Sequence, residues 1–153
     1  MTRAQAEEIA TLINRRNQLP LDYTSDDILR KAPNYEYEIR DSKLIACVER
    51  KKVQWYQWEI RHLSVHEDWE GQGVGYAVYS RAETSAHAGG ACLLQCTIRD
   101  GNDDSERFFQ RQGFRRVGGF ANASTGNAVG VWQKVLRPPA GPTGEHPAQG
   151  MAR

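Results

Sequence analysis

The chain opens with a stripe of apolar residues at helical spacing, made up of Ala6, Ile9, Leu12 and Ile13. Thr2 and Gln5 precede this stripe with the spacing of a capping box, so a first helix is predicted. A second, shorter helix is predicted from Thr24 or Ser25 onward. Pro33 ends it, because a proline disfavours helical backbone in the residue before it.

Apolar and polar positions alternate between residues 35 and 65, which is the period of a β-strand. A hairpin is predicted first, with strands over residues 35–39 and 43–50 joined by a turn at residues 41–42. Residues 53–65 are predicted as one long third strand. Strict alternation divides the end of that strand into two faces, with Glu59, Arg61, Leu63 and Val65 on one and Ile60, His62 and Ser64 on the other.

The third strand leads into a glycine-rich turn and then a helix, all within residues 59–81. Glycines stand at positions 71, 73 and 75, and the apolar spacing becomes helical from Val74 onward. Glycine lets the backbone approach a ligand closely, and the unpaired N–H groups of a first helical turn favour an anion. No Lys-Ser or Lys-Thr pair follows and the G-x-G-x-x-G spacing fails, which argues against a Walker loop and a dinucleotide fold. The residues alone leave an anion site and a tight structural turn equally open.

The second half of the chain predicts four more elements. Residues 91–98 are almost continuously apolar and predict a strand that is buried on both faces. A helix follows over residues 102–112 with Asp103 as its cap, and residues 115–121 and 128–136 predict two closing strands. This order of helices and strands predicts an α+β fold around one mixed sheet.

Length and composition narrow the range of architectures and partners. The 153 residues suffice for one domain, predicted over residues 1–137, and the proline- and glycine-rich residues 138–153 predict a disordered tail. The 20 basic and 19 acidic residues give a formal net charge of +1, so no strong field attracts nucleic acid or a membrane. Cys47, Cys92 and Cys96 lie in apolar strand patterns, which predicts reduced core thiols rather than a zinc site. No apolar run approaches the roughly 20 residues of a membrane span, and a cytoplasmic location is expected.

Residues 70–75 resemble the pyrophosphate signature Gln/Arg-x-x-Gly-x-Gly/Ala of the GNAT acyl-CoA-dependent N-acyltransferases. Gly73 and Gly75 fit that signature, whereas Glu70 departs from the usual Gln or Arg and is expected to repel a pyrophosphate unless it points away. A second block in the family's order follows, consisting of Asn102, Ser105, Phe108, Phe109, Gly113 and Phe114. The resemblance covers roughly residues 35–136. It implies a mostly antiparallel mixed sheet flanked by helices, with a splayed pair of parallel central strands.

The same resemblance implies acetyl-CoA as the acyl donor, without a metal, and assigns residues to its parts. Leu63, Ser64 and Val65 are expected to present backbone groups to the pantetheine arm. The residues expected around the pyrophosphate are Gly71, Gln72, Gly73, Val74, Gly75 and Tyr76. Asn102, Ser105 and Phe108 are expected beside the distal pantetheine and the thioester, although a simple helix cap is an equal alternative for Asn102.

Acyl transfer to an amine requires a base that takes the amine proton, and the resemblance gives that role to Glu59. The alternative for Glu59 is a strand glutamate that is solvated or in a salt bridge with Arg61 or Arg40. His62 and His66 are secondary candidates for the base.

The proton donor to the leaving thiolate is less well defined. In many members of the family it is a tyrosine just before a Gly-Phe pair, and here Phe109 stands at that position and has no proton to give. Tyr76, Tyr79 and Ser105 are weak alternatives, and loss of catalysis in a retained fold is another.

The acceptor is the least determined part of the reaction. The aromatic residues expected near the site are Trp55, Tyr56, Trp58 and Trp69, and the residues expected to form a basic rim are Arg15, Arg16, Arg40, Lys51 and Lys52. Three classes follow: an N-acetyltransferase acting on a primary amine of a small molecule or protein, an acyl-CoA-dependent enzyme that modifies nucleobases, and a catalytically inactive CoA-binding or interaction protein. The first is our prediction, and the sequence leaves homodimerisation open.

Overall fold

The computed structural model describes residues 1–17 and 19–136. The predicted disordered tail, residues 138–153, lies outside the described residues, so the domain boundary stays a prediction. The helices are α1 (Arg3–Asn14), α2 (Ser25–Arg30), α3 (Val74–Ala88) and α4 (Asp103–Arg111). The strands are β1 (Tyr35–Arg40), β2 (Lys43–Lys52), β3 (Gln57–Val65), β4 (Leu93–Arg99), β5 (Arg115–Ala121) and β6 (Ala128–Val135). Single 3₁₀ turns at Ala32–Asn34 and Glu67–Trp69 precede β1 and follow β3.

The six strands form one sheet in the order β1-β2-β3-β4-β6-β5. Within the described part of the chain, all neighbouring strands are antiparallel except β3 and β4. These two parallel strands pair only over residues 57–59 and 93–95 and then separate. The predicted α+β class and the predicted splayed pair of central strands are therefore confirmed.

The connection between β2 and β3 differs from the prediction. The predicted strand over residues 53–65 is wrong at its start, because β3 begins only at Gln57. Lys52 pairs with Trp58 across an antiparallel ladder, so the chain must reverse direction between them. The turn is closed by Val53 N–H, which donates to the Gln57 carbonyl oxygen at 2.9 Å. Periodicity alone did not reveal this turn.

The helix starts follow their capping residues. Thr2 with Gln5 and Thr24 with Asp27 form capping boxes, which confirms the predicted starts of α1 and α2. The cap of α4 is Asn102 and not the predicted Asp103, because the Asn102 side chain accepts the Ser105 N–H. The N-cap of α4 thus stands one residue before the predicted one.

The sheet has a core on each face, but the second core covers only part of it. Helices α3 and α4 pack on one face, where Val78, Tyr79 and Leu94 are almost completely buried. Helices α1 and α2 cover the other face over β1 and β2, and α1 also contacts β3. Strand β4 is therefore buried on one face, with Leu94, Cys96 and Ile98 inward and Thr97 exposed, and the prediction of burial on both faces is wrong.

Candidate functional site

Strand β3 carries a β-bulge at His62, whose φ of +53° is in the left-handed region. Cys47 pairs with Ser64 and Glu49 with Arg61, so β3 has one more residue than β2 between these pairs. The extra residue reverses the alternation of side chains. Leu63 and Val65 consequently pack against the same core as Trp58 and Ile60, and the predicted division of this strand into two faces is wrong beyond His62.

The separation of β3 and β4 opens a groove of about 1190 Å³ across the edge of the sheet. One wall is β3 from residue 59 to 65, and the other is β4 from residue 96 to 99. The N-terminus of α3, helix α4 and the β5–β6 turn complete the groove. Beyond residues 59 and 95 the facing edges of these strands make no ladder hydrogen bonds with each other in the described chain, so their backbone polar groups face the groove.

The glycine turn lies at one end of the groove. Gly71 and Gly73 have φ values of +71° and +78°, and among the described atoms none lies within 4 Å of a Cβ built on either. Gly73 is the N-cap of α3, and no described side chain caps this helix. The first N–H groups of α3 are therefore available, and the helix dipole favours an anion beside them. The available N–H groups and the helix dipole therefore both make this end of the groove suitable for a diphosphate.

At position 75 a glycine is needed because of packing and not because of its backbone conformation. A Cβ at this position would lie 3.3 Å from Cγ2 of Val65 and 4.0 Å from the ring of Phe108. The absence of a side chain lets α3 approach both β3 and α4 closely. Gly75 therefore sets the packing of the turn, whereas Gly71 and Gly73 set its backbone conformation.

The structure brings most of the predicted coenzyme-contact residues together around the groove. Those that line it are Leu63, Ser64, Val65, Gly71, Gly73, Val74, Gly75, Tyr76, Asn102, Ser105 and Phe108. Gln72 does not belong to the described lining, because its side-chain amide turns back and donates to the Asp68 carbonyl oxygen at 3.0 Å. The coenzyme contacts of all these residues stay predictions.

Glu70, the departure from the family signature, forms an ion pair with Arg16 at the groove. Arg16 follows α1 and so belongs to a part of the chain far from the glycine turn in sequence. Both side chains are about half exposed, at 58% for Arg16 and 48% for Glu70. The arginine offsets the negative charge that the turn would otherwise present to a diphosphate.

We expect Glu70→Gln to raise the affinity for CoA about two- to fivefold at low salt, because one negative charge leaves the anion site and Arg16 is released from its pair. Isothermal titration calorimetry at low and high salt measures this change, and screening should shrink it at high salt. Glu67→Gln is the matched control, since Glu67 is three residues away and outside the groove lining. An equal gain in both variants would contradict a local effect of Glu70.

Glu59 lies on the β3 wall of the groove and is partly buried. It forms no ion pair with any residue in the described ranges. Its predicted alternative partners are engaged elsewhere: Arg40 Nε binds Glu38 at 2.8 Å, and Arg61 Nε lies 4.0 Å from Glu49. A salt bridge to Arg40 or Arg61 is therefore wrong for the described chain, whereas the alternative of a solvated strand glutamate is not tested by these contacts. Burial, and next the charge on Glu59, raise the pKa of the Cys96 thiol on the facing strand to about 12.

The candidate proton donors occupy different positions. Phe109 is buried and lines the groove, so an apolar ring lies where many relatives of the predicted family have a tyrosine. Tyr76 and Ser105 line the groove. Tyr79 stands outside the described lining, and its hydroxyl donates to Glu83, which also accepts from Lys134 Nζ at 2.8 Å. Burial raises the pKa of Tyr79, and the Glu83 hydrogen bond adds to that effect.

We expect Tyr79→Phe to leave kcat unchanged and to destabilise the fold by about 1 kcal/mol, because it removes one hydrogen bond away from the groove. Steady-state kinetics and denaturant unfolding measure the two quantities. Tyr76→Phe is the comparison variant, since its hydroxyl lies at the groove. A large loss of kcat in Tyr79→Phe would return this residue to the list of proton donors.

Sequence reasoning missed Glu49, which is completely buried on β2. Its carboxylate makes no hydrogen bond within the described chain, and its Oε2 lies 3.6 Å from His62 Nε2. The signal was present, because Glu49 has the same strand parity as the buried Cys47 and therefore stands at an inward position. An acidic residue at an inward strand position needs a partner for its charge.

The aromatic and basic residues expected near the site are mostly elsewhere. Trp69 lines the groove, but Trp55 is 60% exposed at the β2–β3 turn and Trp58 is buried in the core. The unpredicted turn accounts for this error, since it places these aromatics before the start of the groove. Of the five residues expected to form a basic rim, Arg16 is the one in the described groove lining. The expected membership of the basic rim is therefore wrong, and the other basic residues of the lining are Arg61, Arg99, Arg107 and Arg111.

The described residues also bear on two other kinds of feature, metal sites and membrane-spanning helices. Among residues 1–17 and 19–136, no group of three or more His, Cys, Asp or Glu side chains is placed to hold a metal ion. No helix of the described chain is long and apolar enough to cross a membrane.

Solved structures share this fold at low sequence identity. The yncA protein of Salmonella typhimurium, solved with its cofactor acetyl-CoA, matches with a TM-score of 0.77 and 15% identity, over 93% of this chain and 94% of that one. Ard1 of Thermoplasma volcanium matches with a TM-score of 0.76 and 20% identity, over 90% and 95%. Naa50 of Arabidopsis thaliana, solved with the bisubstrate analogue CoA-Ac-MVNAL, matches with a TM-score of 0.73 and 15% identity, over 89% and 95%.

The family comparison gives the more specific result. No curated protein matches the sequence. The family model described as "Acetyltransferase (GNAT) family" matches residues 4–114, which include α1 through α4 and the glycine turn. This match covers well over half of the chain, and the splayed strands and the glycine turn at the start of α3 agree with it. The chain therefore belongs to the GNAT family of acetyltransferases.

Proposed function

We propose that this protein is an N-acetyltransferase that moves an acetyl group from acetyl-CoA to a primary amine, with Glu59 as general base. The observation that carries the proposal is the groove, which has an anion-binding helix terminus at one end and an unpaired carboxylate on its wall. Acetyl-CoA supplies the acetyl group as a thioester. The remaining tasks belong to residues of this chain.

The coenzyme end of the groove binds through the backbone. The N–H groups after Gly71 and Gly73 hold the pyrophosphate, and the unpaired edge of β3 at Leu63 and Val65 offers groups to the pantetheine arm. Asn102 and Ser105 lie on the α4 side of the same groove. These contacts bind and orient the donor.

Glu59 acts on the acceptor nitrogen. An amine attacks a thioester only after it loses a proton, and Glu59 takes a proton from this nitrogen directly or through one water. The carboxylate is suited to that task because no cation among the described residues pairs with it. It lies on the groove wall at the point where β3 and β4 separate, and we expect it to reach the acceptor nitrogen from there.

The acceptor is a primary amine of a protein, a peptide or a small molecule. The residues that we propose to contact the acceptor are Asn17, Tyr23, Asn122 and Thr125, which also line the groove. Naa50, solved with a bisubstrate analogue that contains the residues MVNAL, supports a peptide amine as the first acceptor to test. The three cysteines are free thiols, which supports the cytoplasmic location that we propose for this activity.

A second candidate is a protein that binds acetyl-CoA without turnover. The observation in its favour is Phe109, which places an apolar ring where many relatives have a proton donor. In this case the groove and the glycine turn would still bind the coenzyme. A nucleobase acceptor has less support, since Trp69 is the one of the four expected aromatic residues that lies in the described groove lining.

The test is thermal unfolding at fixed salt with acetyl-CoA, CoA, ATP and no ligand, followed by release of free CoA thiol on a panel of peptide and small amines. Ligand at about a hundred times its Kd should add about 2.7 kcal/mol of stability. Stabilisation by acetyl-CoA and CoA but not ATP, with thiol release on an amine, is the expected result. Stabilisation without turnover would support the second candidate, and no stabilisation would contradict both.

A further inference from the structure

Glu49 is an unusual residue for the centre of a strand. Its side chain is 0% exposed, and neither carboxylate oxygen has a hydrogen-bond partner among the described residues. A buried charge without a partner costs several kcal/mol, so such a residue needs a neighbour that becomes cationic or donates a proton. The two cationic candidates are Arg61, whose Nε is 4.0 Å away, and His62, whose Nε2 is 3.6 Å away.

His62 connects Glu49 to the groove. Its ring lines the groove, its side chain is only 16% exposed, and it packs edge-on against Tyr23 with centroids 4.8 Å apart. Nε2 is the buried nitrogen and faces Glu49, which leaves Nδ1 as the nitrogen that can reach the groove. The β-bulge creates this arrangement, because the left-handed backbone at His62 turns the ring away from strict strand alternation.

We propose that His62, oriented by the buried carboxylate of Glu49, takes a proton from the acceptor amine in the groove. The inference rests on the proposed function and adds a second proton acceptor to it. His62 is a catalytic residue in this scheme because it contacts the acceptor. Glu49 is a positioning residue, because it holds the imidazole in the tautomer with Nε2–H toward the carboxylate and stabilises the imidazolium that forms.

The number of protons that leave the amine supports a scheme with two proton-accepting side chains. The acceptor nitrogen begins as an ammonium group with three protons and ends as an amide with one, so two protons leave it. His62 Nδ1 takes the first, which frees the lone pair, and Glu59 takes the second as the C–N bond forms. The C–S bond breaks, and CoA leaves as a thiolate that is protonated from solvent. A single carboxylate would have to release its proton between the two steps.

The surroundings of His62 set its pH dependence. The titratable and charged groups that face it or act on it are Tyr23 before α2, Lys31 after α2, Cys47 and Glu49 on β2, and Arg61 on β3. Burial, followed by the charges of Arg61 and Lys31, lowers the pKa of His62 to about 4. The imidazole is therefore neutral at pH 7 and keeps a free acceptor nitrogen until the pH falls through about 4. The lowered pKa also makes it a weaker base than an exposed histidine, so the imidazolium that forms has to be stabilised by the Glu49 carboxylate.

The variants are chosen to preserve the backbone at the β-bulge. His62→Asn keeps a residue that tolerates positive φ, and His62→Gly tolerates it fully while leaving space for added imidazole. Glu49→Gln removes the charge and keeps the shape. His87→Asn, on α3 and outside the groove lining, is the matched histidine control. Thermal stabilisation by CoA in each variant verifies that the fold and the coenzyme end are intact.

We expect His62→Asn to lower kcat about 10²- to 10⁴-fold with the KM for acetyl-CoA within twofold, and imidazole to restore part of the rate to His62→Gly. Glu49→Gln should lower kcat about tenfold and move the His62 titration, followed by NMR of the imidazole, to lower pH. His87→Asn should match the wild type. Full kcat in both His62 variants, or an unchanged titration in Glu49→Gln, would overturn the inference while the proposed function stands. Absence of transfer by the wild type itself would overturn both.

Discussion

Gly73→Glu should abolish CoA binding, with a loss of affinity of at least about a hundredfold. Gly73 has a φ of +78° and is the N-cap of α3, so a glutamate there puts bulk and negative charge beside the N–H groups that face the anion. The mutation also strains the backbone by about 1–2 kcal/mol, because an L side chain is unfavourable in the left-handed region. Calorimetric titration with CoA measures the affinity, and denaturant unfolding measures the strain.

Gly90→Glu is a closely matched control for this mutation. Gly90 follows α3 at its other end, has a φ of +96°, and has the same open space within 4 Å of a built Cβ among the described atoms. The two variants therefore share the added charge and the backbone strain and differ in their distance from the groove. Gly90→Glu should bind CoA normally. Equal loss in both variants would show that strain, rather than the anion site, controls binding.

Glu59→Gln should lower kcat at neutral pH about 10²- to 10⁴-fold and leave the affinity for acetyl-CoA nearly unchanged. The amide keeps the size of the side chain but cannot accept a proton, so the variant removes only the base. Parallel losses in kcat and kcat/KM are expected, because the interaction is made in the transition state. Steady-state kinetics on the acceptor identified by the amine panel provides the measurement.

Glu38→Gln is the matched carboxylate control, since Glu38 lies on β1 and pairs with Arg40 and Arg81 away from the groove. This variant should retain wild-type kcat. Equal turnover in Glu59→Gln and the wild type would remove Glu59 from the mechanism. Added imidazole should restore His62→Gly but leave Glu59→Gln inactive, which separates the two proton acceptors from each other.

Local sequence signals were sufficient to predict most of the helices and strands. The capping box at Thr2 marked one helix start and the candidate caps Thr24 and Ser25 marked a second, and the glycines at 71, 73 and 75 marked the entry to α3. These signals act over a few residues, so they need no tertiary information. The mostly antiparallel sheet and the separated central strands came from the resemblance to the family and not from periodicity.

The errors arose where a tertiary feature overrode the local pattern. The turn over residues 53–56 has no strong turn sequence, and it forms because β2 and β3 pair in opposite directions. The bulge at His62 is set by the pairing with β2, which a single strand's alternation does not contain. Both errors changed the site, because the first moved Trp55 and Trp58 away from the groove and the second turned His62 toward it.

The separation of β3 from β4 has a consequence for how the sequence can change. The groove edge that it exposes consists of main-chain N–H and C=O groups, which every residue except proline provides alike. Substitution of a side chain along this edge leaves those groups in place as long as the strand survives. Binding based on the backbone therefore places few demands on residue identity, which agrees with a shared fold at 15% to 20% identity to the Salmonella and Thermoplasma proteins.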